Sequence, residues 1–386
     1  MKLLKTIFHK TRRVFAKLWL GNMHVTQIAI TGSQGKTAVS QGLCAMLKTL
    51  RPAVVTDTNL DTIYNVPITA LKIRPYHHFA IFELGIDKLN EMDFHLDIVK
   101  PYIAVVTGVS PVHTDEAHMK SFENAINEKS KLVKALTESG YAVMNFSDKN
   151  VREMSKITKA KLFWYGSKAD FEKNKLSNYV CYSDVVVTTD GTNFVLYDKS
   201  ESKEIKIKTK LIGTFHAANI CAIYCILKVL NPYFIENFDK GVYDLLAPLA
   251  GRMNMQMGPN DTLILNDSLR ANPTSTAAGL ETFANIEYKK GRKVVILADM
   301  GELEKPEEEH KKIGKLIAKL PVDMVVCAGK MQKFVAIEAA KNKKIEVHYY
   351  DTVGDAKKEI MLLTKQSDFI YLKGSKYSFV GQILEI

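Results

Sequence analysis

The chain has 386 residues, of which 46% are hydrophobic and 25% are charged, and its formal net charge is +11. This length exceeds what one hydrophobic core usually supports, and the composition is that of a globular protein, so we expect two or more domains. Lys, Asp or Gly interrupts the best apolar runs within about a dozen positions, too soon for a membrane-spanning helix. Five scattered cysteines, an odd number, favour buried thiols in a reducing cytoplasm over disulfides or a zinc site.

The first 24 residues form a separate basic segment. Residues 1–21 contain six Lys and Arg residues and no acidic residue, interleaved with apolar and aromatic residues. The pattern predicts an amphipathic helix. Two interpretations stay open: the helix makes peripheral membrane contact through residues 1–20 on anionic lipid, or its apolar face packs on the body of the protein. A secretory signal fits less well, because basic residues recur throughout the segment.

The first predicted strand runs into a glycine loop within Gln27–Thr37, which is followed by a helical pattern. Glycines let backbone N–H groups approach phosphate oxygens, a lysine adds positive charge, and a threonine hydroxyl can bind Mg²⁺. We therefore predict a nucleotide phosphate site in this loop. Its predicted cofactor-binding residues are Gly32, Ser33, Gln34, Gly35, Lys36 and Thr37.

Short apolar strands then alternate with helices, as a parallel sheet with crossover helices requires. The predicted strands are residues 28–31, 53–56, 79–83, 103–107 and 141–145, with helices after Gly35, Pro67, Asp87, Lys120 and Asp148. Alternating apolar and polar residues from 161 to 210, with Asp190-Gly191 as a turn signal, predict an antiparallel patch in the same domain. A helix is predicted over residues 216–230.

A second α/β series begins where the composition changes near Gly251. Its predicted strands are residues 262–265, 293–298, 324–328, 346–350 and 369–373. The predicted fold class is α/β: a P-loop-containing central domain, with a parallel sheet and a small antiparallel patch, plus a C-terminal Rossmann-like α/β domain. The predicted boundaries are 1–24 for the basic segment, 25–250 for the central domain and 251–386 for the C-terminal domain.

Three residues follow the phosphate loop in a suggestive order. Glu83 ends an apolar strand, His113 follows a strand and loop, and Lys129 lies in a predicted helix. Singly, such residues are more typical of exposed loops and helix faces. Together with the compressed loop Thr31-Gly-x-x-Gly-Lys-Thr37 they resemble the Mur ligases, the ATP-dependent amide-forming enzymes of cell-wall peptide synthesis.

The second half of the chain extends the resemblance. Its matching motifs are Gly251-Arg252-Met253, Asn266-Asp267-Ser268 with Arg270, Asn272 and Pro273, Asp299 to Leu303 with Glu302 and His310, and Lys373-Gly374-Ser375-Lys376. The last motifs look most like the MurF branch, which adds a D-alanyl-D-alanine dipeptide to a nucleotide-linked tripeptide. MurF-type enzymes carry a UDP-binding domain before the ATP loop, whereas this loop comes almost at once, so we expect that domain to be missing here.

The resemblance implies a mechanism. ATP converts a substrate carboxylate to an acyl phosphate, and the amine of an amino acid or dipeptide then attacks it. Two Mg²⁺ ions are expected, with metal ligands at Thr37, Glu83, His113 and a carbamylated Lys129. The implied catalytic residues are Lys36, Lys129 and His113, and the implied further nucleotide contacts are Asn219, Arg252 and Asp267. Oxygen ligands with one imidazole suit Mg²⁺.

Some family positions differ in this chain. His216 stands where the family's adenine-side motif has Asn, Gly108 where Asn is usual, and Lys131 where an acidic residue commonly follows the carbamylated lysine. ATP is the expected nucleotide, with GTP as the alternative.

Alternative functions stay open. Three alternatives are open for the UDP carrier of the acyl donor: a partner chain binds it, a lipid or other carrier replaces it, or the substrate has none. One alternative function is therefore an amide ligase of the same superfamily that acts on a substrate without UDP. The other, from a different class, is a basic P-loop NTPase associated with nucleic acid. Basic residues are spread along the chain and mixed with acidic ones, so no nucleic-acid partner is expected.

Overall fold

The computed structural model contains two compact units. The first comprises Met1–Val185, Asn193–Thr209 and Phe215–Leu246, and the second comprises Val186–Thr192, Lys210–Thr214 and Ala247–Ile386. The structure describes residues 2–58, 62–111, 118–174, 176, 178–301, 303–375, 378 and 380–383. Three residues that the sequence singled out, His113, Glu302 and Lys376, lie outside the described residues.

Strands β1 to β9 form a nine-stranded sheet with the order β2-β3-β1-β4-β5-β6-β7-β8-β9. Their bounds are β1 Thr26–Thr31, β2 Ala53–Val55, β3 Phe79–Glu83, β4 Ile103–Val106, β5 Tyr141–Asn145, β6 Lys161–Ser167, β7 Tyr179–Thr188, β8 Gly191–Asp198 and β9 Lys203–Thr209. Every pairing from β2 across to β7 is parallel. Since β1, β3 and β4 are neighbours, the loops after their carboxyl ends lie at one edge of the sheet, where α/β proteins bind ligands.

The antiparallel patch is smaller than predicted. Two residues join β7 to β8 and four join β8 to β9, and connections this short link only antiparallel strands. The prediction was wrong for β6, which pairs in parallel with both β5 and β7. The alternating residues of β6 cannot distinguish the two directions, because side chains alternate in both kinds of sheet.

Nine helices of the described residues accompany this sheet. They are α1 Lys2–Gly21, α2 Lys36–Lys48, α3 Thr62–Lys72, α4 Glu91–Leu96, α5 Phe122–Lys134, α6 Lys149–Met154, α7 Lys168–Glu172, α8 Phe215–Leu230 and α9 Phe238–Leu245. Helix α3 begins at Thr62, before Pro67, so the predicted start after that proline was wrong. Pro67 lies inside the helix, at the loss of one backbone hydrogen bond. Ser121 caps α5 by accepting a hydrogen bond from the Asn124 backbone N–H.

The predicted basic helix is present as α1, and one side of it packs on the first unit. Ala16 and Leu20 are buried, whereas other apolar side chains of the helix, such as Phe15 and Leu18, stay exposed. Among the described helices, none combines the length and the apolar character that crossing a bilayer would require.

The second unit contains a six-stranded sheet with the order β10-β11-β15-β12-β13-β14. The strands are β10 Asn254–Met257, β11 Leu263–Asp267, β12 Lys293–Ala298, β13 Met324–Ala328, β14 Glu346–Tyr350 and β15 Phe369–Lys373, and the helices are α10 Pro273–Asn285, α11 Pro306–Ile317, α12 Gln332–Ala339 and α13 Val353–Leu363. All pairings are parallel except that of β10 with β11. Strand β10 was not predicted, because its half-polar sequence Asn-Met-Gln-Met carries little strand signal.

Candidate functional site

The predicted phosphate loop lies between β1 and α2, at the centre of the first sheet. Gly35 precedes α2 with φ of 81°, a left-handed conformation that favours glycine, and the helix begins at Lys36. The N-terminus of a helix presents backbone N–H groups without helical partners, together with positive potential. The Lys36 ammonium lies over the loop and donates a hydrogen bond of 2.6 Å to the Gly32 carbonyl oxygen. The loop can therefore bind a polyphosphate.

The residues after β4 brace this loop. The Thr107 hydroxyl is shared between the carbonyl oxygens of Thr31, at 3.2 Å, and Gln34. Ser33 and Ser110 exchange hydrogen bonds: the Ser110 N–H donates to Ser33 Oγ at 2.9 Å, and that hydroxyl donates to the Ser110 carbonyl at 3.0 Å. The conformation of the loop is thus set by the neighbouring strand as well as by its own sequence.

Both glycines of the loop leave room for their neighbours. A Cβ at Gly32 would lie 2.1 Å from Thr107 Oγ1, and one at Gly35 would lie 2.5 Å from Asn219 Oδ1. Asn219, on α8, was predicted as a nucleotide contact, and the structure places it directly beside the loop. A larger residue at either position would clash with these side chains. Both glycines also have positive φ, which residues with a Cβ rarely adopt.

A Gly32→Ala variant is therefore expected to lose nucleotide affinity. Its Cβ would displace Thr107 and strain a backbone with φ of 145°, which we expect to weaken Mg-ATP binding by at least about tenfold. Isothermal titration calorimetry measures the affinity. The matched control is Gly21→Ala, where an added Cβ meets no atom within 4 Å. Equal affinities in the two variants would contradict the assigned role of the loop.

Thr37 and Glu83, both predicted metal ligands, lie next to each other. The Thr37 hydroxyl donates to Glu83 Oε1 at 2.9 Å, and the Ser40 hydroxyl lies 3.4 Å from Glu83 Oε2. The Glu83 backbone N–H donates to Thr56 Oγ1, which holds the end of β3 in place. One carboxylate and hydroxyl oxygens at the foot of a phosphate loop form a donor set that fits Mg²⁺.

Lys129 is buried, with 3% of its surface exposed. Burial first and the positive charge of Lys36 second lower its pKa to about 8, against the opposing effects of Asp87 and Glu128. The carboxylate of Glu128 pairs with Lys131 at 2.5 Å. A lysine on an exposed helix face would be neither buried nor lowered in pKa. Lys129 therefore differs from the surface lysine that its helix pattern suggests.

His216 and Asn219 occupy the start of α8. Burial lowers the pKa of His216 to about 3, so its ring is neutral at pH 7. Its Nδ1 atom is buried and has no hydrogen-bond partner within the described part of the chain. No group of three or more His, Cys, Asp or Glu side chains that could hold a metal occurs in the described ranges, from which residues 112–117 with His113 are left out.

In the second unit, Asp267 ends β11 in a buried charged cluster. Its Oδ2 accepts hydrogen bonds from Lys373 Nζ at 2.5 Å and from the Tyr371 hydroxyl at 3.0 Å. Burial raises the pKa of Asp267, while the charges of Lys373 and Arg252 limit that rise. A Cβ at Gly279 would lie 1.9 Å from the Tyr371 hydroxyl, so a glycine is required beside this cluster.

Two further motif segments have structural roles in this unit. Asn272 caps α10 by accepting from the Ser275 N–H, and Pro273 occupies the first turn, where proline is favoured. After β12, Asp299 accepts from the backbone N–H groups of Met331 and Gln332, each at 3.1 Å. His310 Nε2 accepts from the Met300 N–H at 3.2 Å, which holds the loop that follows the strand.

The sequence did not reveal Thr107, Ser40 and Thr56 as members of the site. Thr107 follows β4 directly, at the carboxyl end of a strand beside β1, and Ser40 lies one helical turn after Thr37. These positions could have been found by asking which polar residues end the strands beside the phosphate loop.

Comparison with known sequences identifies the family. A sequence model of the Mur ligase middle domain matches residues 30–227, just over half of the chain, and a model of the Mur ligase, glutamate ligase domain matches residues 251–376. The chain belongs to the Mur ligase family. The family resemblance and the predicted α/β fold class are thereby confirmed for this Mur ligase.

The relatives of this Mur ligase include MurF enzymes. It is 24% identical over 383 residues to the UDP-N-acetylmuramoyl-tripeptide–D-alanyl-D-alanine ligase of Escherichia coli K12, with 98% of this chain and 81% of that protein covered. A crystal structure of MurF from Acinetobacter baumannii has a TM-score of 0.83 at 24% identity, covering 97% of this chain and 79% of that one. MurF ligase from Thermotoga maritima in complex with ADP has a TM-score of 0.80 at 22% identity, covering 98% and 82%.

Proposed function

We propose that this Mur ligase is an ATP-dependent amide-forming ligase of cell-wall peptide synthesis, closest to the MurF type. The observation that carries the proposal is the arrangement of the first unit, where a braced phosphate loop, the Thr37–Glu83 pair and the buried Lys129 belong to one compact body. Relatives named as D-alanyl-D-alanine ligases support D-Ala-D-Ala as the amine and a peptidyl carboxylate as the acyl donor.

The proposed reaction has two steps. A carboxylate oxygen of the donor attacks the γ-phosphorus of ATP and ADP leaves, which gives an acyl phosphate. The amine nitrogen then attacks the acyl carbon, loses a proton, and phosphate leaves from the tetrahedral intermediate. Lys36 offsets the negative charge on the transferring phosphoryl oxygens, and the N–H groups at the start of α2 hold the phosphates in line.

Magnesium would neutralise phosphate charge and orient the transferring group when bound. We propose Thr37 and Glu83 as ligands of one ion, because their oxygen atoms lie together at the loop. For a second ion we propose His113 and carbamylated Lys129. Ser33, Gln34 and Asn219 are proposed to contact the nucleotide together with the loop glycines, and Arg252 and Asp267 are proposed as nucleotide contacts on the second unit.

Carbamylation of Lys129 has a physical basis in its surroundings. Only the neutral amine reacts with CO₂, giving a carbamate and releasing one proton. A fall of the Lys129 pKa from 10.5 to about 8 raises the neutral fraction at pH 7 by about 300-fold. The modification replaces a positive charge that Lys36 repels with a negative charge that Lys36 attracts. The lowered pKa of the amine and the positive charge of Lys36 therefore both favour the carbamate.

We further propose the division of the chain into residues 1–24, 25–250 and 251–386, with the ATP chemistry in the last two parts. We propose a partner chain as the part that recognises the carrier of the acyl donor. Without that partner, this protein would accept a donor without UDP about as well as a UDP-linked donor. Adding the partner would restore a preference for the UDP-linked donor.

The function is tested by phosphate release from Mg-ATP with the purified full chain. We expect release to require both D-Ala-D-Ala and a peptidyl carboxylate, and to fall by at least about 100-fold in Lys36→Met, because the lysine stabilises the transferring phosphoryl group. L-Ala-L-Ala is the control amine, and Lys48→Met, an exposed lysine in the last turn of the same helix, is the control variant.

The donor series compares a UDP-linked tripeptide with the same tripeptide without UDP. Release that ignores both substrates, or that nucleic acid stimulates, would overturn the ligase proposal in favour of a P-loop NTPase. Release with other amines only would place the chain among ligases of the same superfamily with a different product.

A further inference from the structure

Helix α1 is fixed to the first unit along one side. Ala16 and Leu20 are buried there, and the Trp19 indole N–H donates to the Ile73 carbonyl oxygen at 2.9 Å. Lys17 pairs with Asp97 at 2.5 Å, and the Arg13 guanidinium lies over the Phe94 ring. These contacts set the orientation of the helix on the protein.

The opposite side of α1 is apolar and exposed. We define the outer face of α1 as Ile7, Phe8, Val14, Phe15 and Leu18, which are between 52% and 62% exposed. Ile7 and Val14 are two turns apart, as are Phe8 and Phe15, and Leu18 lies one turn beyond Val14 and Phe15, so the five side chains form a stripe along one side of the helix. An amphipathic helix normally packs its broad apolar stripe inward. Here Ala16 and Leu20 pack inward, whereas the five large apolar side chains of the outer face stay in solvent, and exposed apolar patches of this kind are typical of interaction surfaces.

The charged side chains that α1 itself carries are all basic. Residues 2–21 contain six Lys and Arg residues and no acidic residue. Lys10 is exposed and lies on α1 at the margin of the outer face. Arg13 and Lys17 instead contact the body of the first unit, through Phe94 and Asp97 respectively. The surface is therefore an apolar stripe with a cationic border.

We propose that the outer face of α1 docks the protein on an anionic lipid surface. The apolar side chains would enter the boundary between headgroups and acyl chains, and the basic border would meet the headgroup charge. A second copy of this chain is a poorer occupant, because pairing two outer faces would bring two purely cationic helices together. This inference is independent of the proposed ligase function.

Because the inner side of α1 stays packed, docking requires no unfolding of the helix. The helix would lie in the plane of the bilayer, with its outer face toward the lipid and its inner side toward the rest of the first unit. The protein would therefore have one orientation on the membrane. Such docking is peripheral and reversible, and salt should weaken it because the cationic border is exposed.

The test is flotation of the full chain with vesicles of phosphatidylcholine alone or with about one-third phosphatidylglycerol. We expect binding to the anionic vesicles only. The double variant Phe15→Glu with Leu18→Glu should bind at least about tenfold more weakly, since it places two charges in the apolar stripe. The matched control is Ile337→Glu with Leu362→Glu, two apolar residues of the second unit that are 59% and 85% exposed.

A charge arm completes the test. Lys10→Glu should weaken binding several-fold, whereas Lys319→Glu, an exposed lysine of the second unit, should not. The proposal is overturned if the wild type ignores anionic vesicles, if it binds neutral vesicles equally well, or if the outer face instead forms a dimer that light scattering detects and the double variant disperses. The far-UV circular dichroism spectrum should stay unchanged in all four variants, which shows that they are folded.

Discussion

A Lys129→Ala variant is expected to lose at least about 100-fold in the rate of substrate-dependent phosphate release, because it removes a proposed charged ligand from the phosphoryl-transfer site. The buried position of the lysine beside Lys36 is the basis of this expectation. The matched control is Lys134→Ala, an exposed lysine in the last turn of the same helix, which should retain full activity. Full activity in both variants would contradict a role for Lys129.

The carbamate itself gives a second measurement. With ¹³C-labelled bicarbonate, the wild type and Lys134→Ala should show a carbamate carbon signal that Lys129→Ala lacks. Below its pKa of about 8 the neutral fraction of Lys129 falls tenfold for each pH unit, so activity in CO₂-depleted buffer should fall faster toward pH 6 than activity with bicarbonate. For the unmodified lysine, the folded state binds fewer protons than the unfolded state between pH 8 and 10.5, so the free energy of unfolding should rise with pH in that window.

The second large effect concerns stability. Lys373→Met is expected to lower the free energy of unfolding by about 3–5 kcal/mol, because it leaves the buried Asp267 carboxylate without its cation. Urea unfolding followed by circular dichroism measures the change. Lys289→Met, which breaks an ion pair on the surface of the same unit, is the control and should unfold like the wild type.

The pH dependence and a double variant identify the cause. In Lys373→Met the pKa of Asp267 should rise further above its ordinary value, so the folded state would bind a proton that the unfolded state has lost. The deficit should therefore be smaller at pH 5 than at pH 8. Asp267→Asn combined with Lys373→Met should recover much of the stability, since the uncompensated charge is gone. A deficit that is equal at both pH values would assign the loss to packing instead.

Much of the fold follows from local sequence pattern. Strands β3, β5, β12, β13, β14 and β15 have the predicted bounds, because each is a short run rich in apolar or aromatic residues with clear breaks on both sides. The phosphate loop and Glu83 could be proposed for a similar reason: the loop is a run of particular residues in sequence, and Glu83 ends a buried strand. Such features depend on neighbours along the chain.

Features that depend on contacts distant in sequence were not predictable in this way. The helix pattern around Lys129 contains nothing that distinguishes a buried lysine from an exposed one, and its low pKa arises from packing and from Lys36. Thr107 supports the loop from 70 or more residues away in sequence. The direction of β6 is likewise set by its partners β5 and β7, which its own alternation does not encode.

The hydrogen bonds that Thr107, Ser33 and Ser110 make around the phosphate loop have a consequence for nucleotide capture. The loop loses its conformational entropy when the chain folds, since the restraints come from protein groups. Little ordering then remains for the binding step, and preorganised sites gain affinity by avoiding that cost. Such a cradle also cannot adapt its shape to a misfitting anion. The fixed shape of the loop would therefore select for a polyphosphate at the first binding contact, before the rest of the nucleotide is recognised.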